Sequence, residues 1–183
     1  TESQIYEWLD EKKHIGEYTG ERFLEVLGGL DVGYRDDNVF VVIGNDGDNY
    51  YILDEYISKE STTSELASAI QEKIDEWNID TIYIDSAAQQ VKADFAYDYD
   101  IYCENAIKSV NDGINYIQVL IEQDKLYFDT LGATHTFSTM SSYKWNPNTE
   151  NPKPIHDWAS HPCDAVRYAI YTHSKMSNIS IYA

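Results

Sequence analysis

Phe23-Leu24-Glu25-Val26-Leu27-Gly28-Gly29-Leu30-Asp31 is an apolar run closed by an acid, and two further runs follow before any helical pattern begins. Val39-Phe40-Val41-Val42-Ile43 and Tyr50-Tyr51-Ile52-Leu53-Asp54-Glu55-Tyr56 are rich in the β-branched and aromatic residues that suit strands. Gly44-Asn45-Asp46-Gly47-Asp48-Asn49, between them, is a turn by composition. Strands joined by such short links are antiparallel neighbours. The chain therefore opens its core with three antiparallel strands.

Helices and single strands then alternate. Ser61-Thr62-Thr63-Ser64-Glu65 offers N-caps, and Leu66, Ile70, Ile74 and Trp77 recur at helical spacing, so an amphipathic helix is expected over 62–77. Thr81-Ile82-Tyr83-Ile84-Asp85 reads as a strand, 87–97 as helix-like, and Ile101-Tyr102-Cys103 as a short strand. A helix over 111–123, a small strand at Leu126-Tyr127-Phe128 and a weakly helical stretch over 131–142 come next. A proline-rich excursion, 147–154, precedes a final helix from Pro162 to about His173. There is no repeat and no second core. One α/β domain over 23–183 is expected, with residues 1–22 as a polar linker or docking segment.

That order is the layout of the RNase H-like fold: a mixed sheet of three antiparallel strands and then parallel strands, flanked by helices. In it the first and fourth strands lie side by side at the sheet centre. Asp31 and Asp85 end those two strands, and Asp164 follows the proline that opens the last helix. Three carboxylates would then meet at one edge of the sheet. Carboxylates so placed repel one another, and a divalent metal or a raised pKa relieves them. Pro162 at a first helical position would make Asp164 a first-turn residue, where the helix dipole favours the ionised form.

Composition bounds the alternatives. The 183 residues, 43% hydrophobic and 14% aromatic, suffice for one domain with a real core. No stretch approaches the roughly 20 apolar residues of a membrane span, and no signal peptide opens the chain. Cys103 and Cys163 are the only cysteines and lack metal-binding spacing, which suits a reduced cytosolic protein. The first residue is Thr1, and a fragment of a longer chain is expected. Gly28 and Gly33 have P-loop spacing, but Tyr34-Arg35 follows where Lys-Ser/Thr is required. The net charge of -19 opposes free-standing nucleic-acid binding, so another domain or subunit would have to supply the affinity for a nucleic-acid partner.

Gly29-Leu30-Asp31-Val32-Gly33-Tyr34, Asp37, Ile84-Asp85-Ser86 and His161-Pro162-Cys163-Asp164-Ala165-Val166-Arg167-Tyr168-Ala169 together resemble the C-terminal nuclease domain of the large terminase subunit of tailed bacteriophages. Ala106-Ile107-Lys108, Gly113-Ile114 and Tyr143-Lys144-Trp145 add to the likeness, which covers roughly residues 24–175. Asn38 departs from it, standing where that family often has proline. The resemblance implies a metal-dependent endonuclease that cuts double-stranded concatemeric viral DNA during genome packaging, by hydrolysis with two Mg2+ or Mn2+ ions. It implies Asp31, Asp85 and Asp164 as metal ligands, with His161 joining them in catalysis and Asp37 ancillary. It also implies an ATPase domain in the same full-length chain, a portal, a small terminase subunit, and work in the host cytoplasm at the procapsid portal. Arg35, Lys108, Lys144 and Lys92 are the basic groups placed to touch phosphates, and Asp157 is a further acidic neighbour lying ahead of the last helix. His14, His135, His156 and His173 carry no motif.

Three other readings share these residues. A stand-alone RNase H-like nuclease such as a Holliday-junction resolvase would keep the acids but should be more basic. A non-catalytic acidic interaction module would bind no magnesium or manganese in the millimolar range. An actin-like or sugar-kinase half would need a second such half, which this length does not provide.

Overall fold

The structure, a computed structural model, describes the backbone of residues 3–182 and the side chains through Ser177. Its centre is a seven-stranded mixed sheet. Strands β2 (Glu25–Asp31), β3 (Asp37–Asn45) and β4 (Tyr50–Lys59) form the antiparallel meander expected from the three apolar runs. Asp46 accepts bonds from the Asp48 and Asn49 amides at 2.9 and 2.7 Å, so its carboxylate builds the turn between β3 and β4. Strand β5 (Thr81–Ile84) pairs parallel with β2, and β6 (Cys103–Asn105) pairs parallel with β5. On the opposite side β7 (Leu126–Asp129) runs parallel to β4.

Residues 3–16, expected as part of a linker or docking segment, are instead packed into the domain. Ile5 and Tyr6 are each 1% exposed, and Ile5 and Trp145 exchange backbone bonds with Tyr143 and Ser3. A short helix α1 (Glu11–His14) leads into β1 (Ile15–Gly16), which adds parallel to β7. The strand order is β1-β7-β4-β3-β2-β5-β6. A two-residue strand carries no period, which is why composition alone leaves it in a polar segment.

Helices α2 (Thr63–Trp77) and α3 (Gln89–Tyr99) cover one face over Phe40, Val42, Ile70 and Phe95. Thr62 caps α2 by accepting from the Glu65 amide at 3.1 Å. Helices α4 (Val110–Glu122), α5 (Thr134–Ser141) and α6 (Ser160–Tyr182) cover the other face over Val39, Val41, Ile43 and Phe128. Helix α6 crosses directly over β2. A side chain at Gly29 would meet the Ala165 carbonyl oxygen at 2.2 Å, so glycine alone lets the helix come this close. On α4, Gly113 leaves room for the Arg167 side chain, whose Cγ and Cδ would stand 2.6 Å from an added methyl.

Candidate active site

Pairing of Leu30 with Ile84 sets the register that brings the first two acids together. Asp31 is the last residue of β2, and Asp85 follows β5 directly, its amide donating to the Leu30 carbonyl at 3.2 Å. The third acid comes from α6, seated on β2 through Gly29. Asp164 precedes Ala165, the residue in contact with that glycine, so the approach of helix to strand fixes where its carboxylate lies.

Each carboxylate has one basic partner. His161 Nδ1 lies 2.9 Å from Asp31 Oδ2, Lys108 Nζ lies 2.8 Å from Asp85 Oδ1, and Arg167 donates from Nη1 to Asp164 Oδ1 at 2.8 Å. Among the described residues these bonds use one oxygen of each acid and leave Asp31 Oδ1, Asp85 Oδ2 and Asp164 Oδ2 unbonded. A set of three carboxylates with one free oxygen apiece fits a hard divalent cation.

All three are largely buried, with side-chain exposures of 8% for Asp31, 14% for Asp85 and 22% for Asp164. Desolvation, ahead of the opposing Arg167 charge, pushes the Asp164 carboxyl above its ordinary value, and Asp31 pushes the same way. This differs from the expected helix-dipole effect, and the position explains it. The helix starts at Ser160, two residues before Pro162, so Asp164 sits in its second turn, where the dipole has faded. Asp31, Asp164 and Asp85 also join burial in raising the Tyr168 hydroxyl, which places all three negative charges around one ring. His161 is raised above its ordinary value chiefly by its hydrogen bond to Asp31.

Of the basic residues singled out from the sequence, Lys108 is at the carboxylates and shares a cleft of about 270 Å³ with Asp164, Arg167 and His156. The segment carrying it is pinned by the Ala106 amide on the Ile84 carbonyl and by the Ile107 amide on Thr172 Oγ1 of α6. Lys92 bonds Asn105 Oδ1 at 3.0 Å. Arg35 is exposed in the turn between β2 and β3, and Lys144 sits in a bridge with Gln4. Among the described residues neither bonds the acids. Asp157 accepts from the Ala159 amide at 2.9 Å and from Ser160, which makes it a cap ahead of α6. Asn38, in place of the expected proline, holds the turn before β3 by accepting from the Gly33 amide at 3.0 Å.

Two residues at the site escaped the sequence reading. Asp36 faces His161, with Oδ2 3.7 Å from Nε2. His156, in the loop before α6, stacks edge-on with His161 at 5.2 Å between ring centroids. Neither lies in a periodic segment, so no pattern fixes its direction; His-x4-His spacing across the start of a helix was the only available signal.

A model of the terminase RNaseH-like domain family matches residues 28–171. The large terminase subunit of Escherichia phage T5 is 37% identical over 188 residues, covering 95% of this chain and 43% of that protein. The large terminase of a thermophilic bacteriophage, solved with ADP, superposes with a TM-score of 0.82 at 21% identity, over 91% of this chain and 44% of that one. The nuclease domain of the large terminase of bacteriophage SPP1, solved with bound Mn, superposes with a TM-score of 0.66 at 22% identity, over 86% of this chain and 94% of that one. The chain thus spans less than half the length of the T5 and thermophilic-phage proteins and nearly all of the SPP1 domain, with which it shares its RNase H-like sheet. With its family model matched from Gly28 to Tyr171 and this degree of identity to the T5 protein, the chain belongs to the terminase RNaseH-like domain family.

Proposed function

We propose that this domain is the nuclease of a phage large terminase, a metal-dependent endonuclease that cuts double-stranded concatemeric viral DNA as genomes are packaged. The observation that supports this reading is that Asp31 and Asp85 close two paired parallel strands while Asp164 lies on the helix crossing over Gly29, all three charges acting on the Tyr168 hydroxyl. Membership of the terminase family supports it, as does manganese in the SPP1 domain.

In this reading Asp31, Asp85 and Asp164 hold two Mg2+ or Mn2+ ions. Bound there, the ions would supply an activated water and charge neutralisation at the leaving 3′-oxygen. The protein's own groups prepare the ligands. His161 orients the Asp31 carboxylate through Nδ1, and Arg167 holds Asp164 while offsetting its buried charge. Lys108, 41% exposed at its side chain, can turn from Asp85 to a phosphate of the bound strand, and Arg35 and Lys144 can reach phosphates further along. Asp37 lies beside this site at the start of β3. Affinity for DNA would come from an ATPase domain in the full-length chain and from a portal and small terminase subunit, at the procapsid in the host cytoplasm.

Cleavage of supercoiled plasmid tests the proposal. Activity should require magnesium or manganese, vanish with EDTA, and fall furthest in Asp31→Asn, since the acid at the end of the central strand serves as the shared ligand. Cleavage by Asp31→Asn at the wild-type rate would end this reading.

A further inference from the structure

Asp36, His156 and His161 form a group apart from the three aspartates. One ligating atom from each lies within 4.8 Å of the others, and among the described residues no other three histidine, cysteine or acidic side chains do so. They come from the turn before β3, the loop before α6 and the first turn of α6, so the fold itself assembles them. They face a cleft of about 310 Å³ whose other walls are Asp37, Lys59, Asp157 and Trp158.

The two imidazoles are each held from behind. His161 Nδ1 lies 2.9 Å from Asp31 Oδ2, and His156 Nδ1 lies 3.3 Å from Ser160 Oγ. Each ring therefore offers Nε2 as its ligating atom. His161 Nε2 already lies 3.7 Å from Asp36 Oδ2. A histidine held at one nitrogen by a carboxylate or hydroxyl, with the other turned toward a second ligand, is the arrangement of metal-binding histidines.

We propose that Asp36, His156 and His161 bind a divalent cation of the zinc class at a site separate from the three aspartates and joined to them through His161. Two nitrogens and one oxygen suit Zn2+, whereas magnesium and calcium take oxygen ligands. Three protein ligands leave the fourth tetrahedral position to water, for which the open cleft has room. A cation on His161 Nε2 keeps that ring's proton on Nδ1, where it is donated to Asp31. Asp31 is then a positioning residue for the zinc ligand, and the two sites share one hydrogen bond. This site rests on its donors' geometry and not on the nuclease reading; zinc binding and DNA cleavage are measured separately, so either can fail alone.

The test is a titration of the untagged protein with Zn2+ alone, in competition with a chromophoric chelator, followed by Co2+ absorption spectra to report donor type and geometry. The cysteines do not compete as ligands, because both are buried and burial pushes the Cys103 thiol up to about 12 and raises Cys163. One Zn2+ equivalent should bind wild type. His156→Gln and Asp36→Asn, both at exposed positions, should weaken it at least about tenfold with unchanged thermal stability. Asp31→Asn should weaken it by about 10- to 100-fold, the usual effect of losing the group behind a ligating histidine. Asp85→Asn should leave it intact. Absence of a zinc equivalent in wild type, or wild-type affinity in His156→Gln, overturns the proposal. So does loss of zinc in Asp85→Asn with His156→Gln unaffected, which assigns the ion to the three aspartates.

Discussion

Replacing Gly29 with alanine should move the third acid without touching any acid. The new methyl would stand 2.2 Å from the Ala165 carbonyl oxygen and 3.1 Å from the Ala169 methyl. Both neighbours belong to a helix that cannot rotate away as a side chain could. Ordinary contacts lie near 3.5 Å, so α6 must retreat from β2 by roughly 1 Å. Overpacking of this kind costs about 1–3 kcal/mol. At about 2–4 °C per kcal/mol for a domain of this size, the melting temperature should fall by about 2–12 °C. Asp164 precedes Ala165 and moves with it. A displacement of about 1 Å among catalytic groups costs on the order of 100-fold in rate. Plasmid cleavage should therefore drop by about two decades at a temperature where circular dichroism shows the variant folded. Wild-type melting together with wild-type cleavage would refute the view that the β2–α6 approach sets the site.

Arg167→Met should destabilise the domain by about 3 kcal/mol in urea unfolding at neutral pH, because it leaves the Asp164 charge buried beside a hydrophobic side chain. Adding Asp164→Asn to it should restore part of that loss; no recovery would mean that Arg167 acts by packing alone. His161 has its folded pKa raised above 6.5 by Asp31, so its contribution to stability is complete below that value and is lost as pH rises through the higher folded one. Urea unfolding in EDTA between about pH 6 and 9 should show this slope in wild type and a flatter one in His161→Gln. With a net charge of -19, the isolated domain should bind duplex DNA weakly and with strong salt dependence, and submicromolar affinity at physiological salt would contradict affinity residing in other domains.

What the sequence made legible follows from periodicity. Asp31 and Asp85 each close an apolar run, and a run that must be buried on both faces has little choice of place except the middle of the sheet. Asp164 could be placed on the last helix but not within it. The turn Asp157 caps ahead of Ser160 starts the helix before Pro162, and that shift of two residues turned an expected dipole effect into a burial effect. Asp36 ends the turn and Asp37 opens β3, and composition cannot say that Asp36 comes within 3.7 Å of His161. Ile5, Tyr6, Trp8 and Leu9 are a short apolar patch in a polar stretch, and the burial of Ile5 and Tyr6 depended on a partner surface, around Tyr143, nearly 140 residues away in the chain. Long-range pairing of that kind leaves no local trace.

The sheet also guards its own flanks. Its two outer strands are its shortest, β1 with two residues and β6 with three, while the ten-residue β4 and nine-residue β3 lie inside. An exposed strand of β4's length would present a row of open amides and carbonyls to any other extended chain. Here β7 and β1 close that side, so removing the first sixteen residues would uncover β7 and its Phe128-Asp129 backbone. Truncation at that point should leave a domain that self-assembles edge to edge.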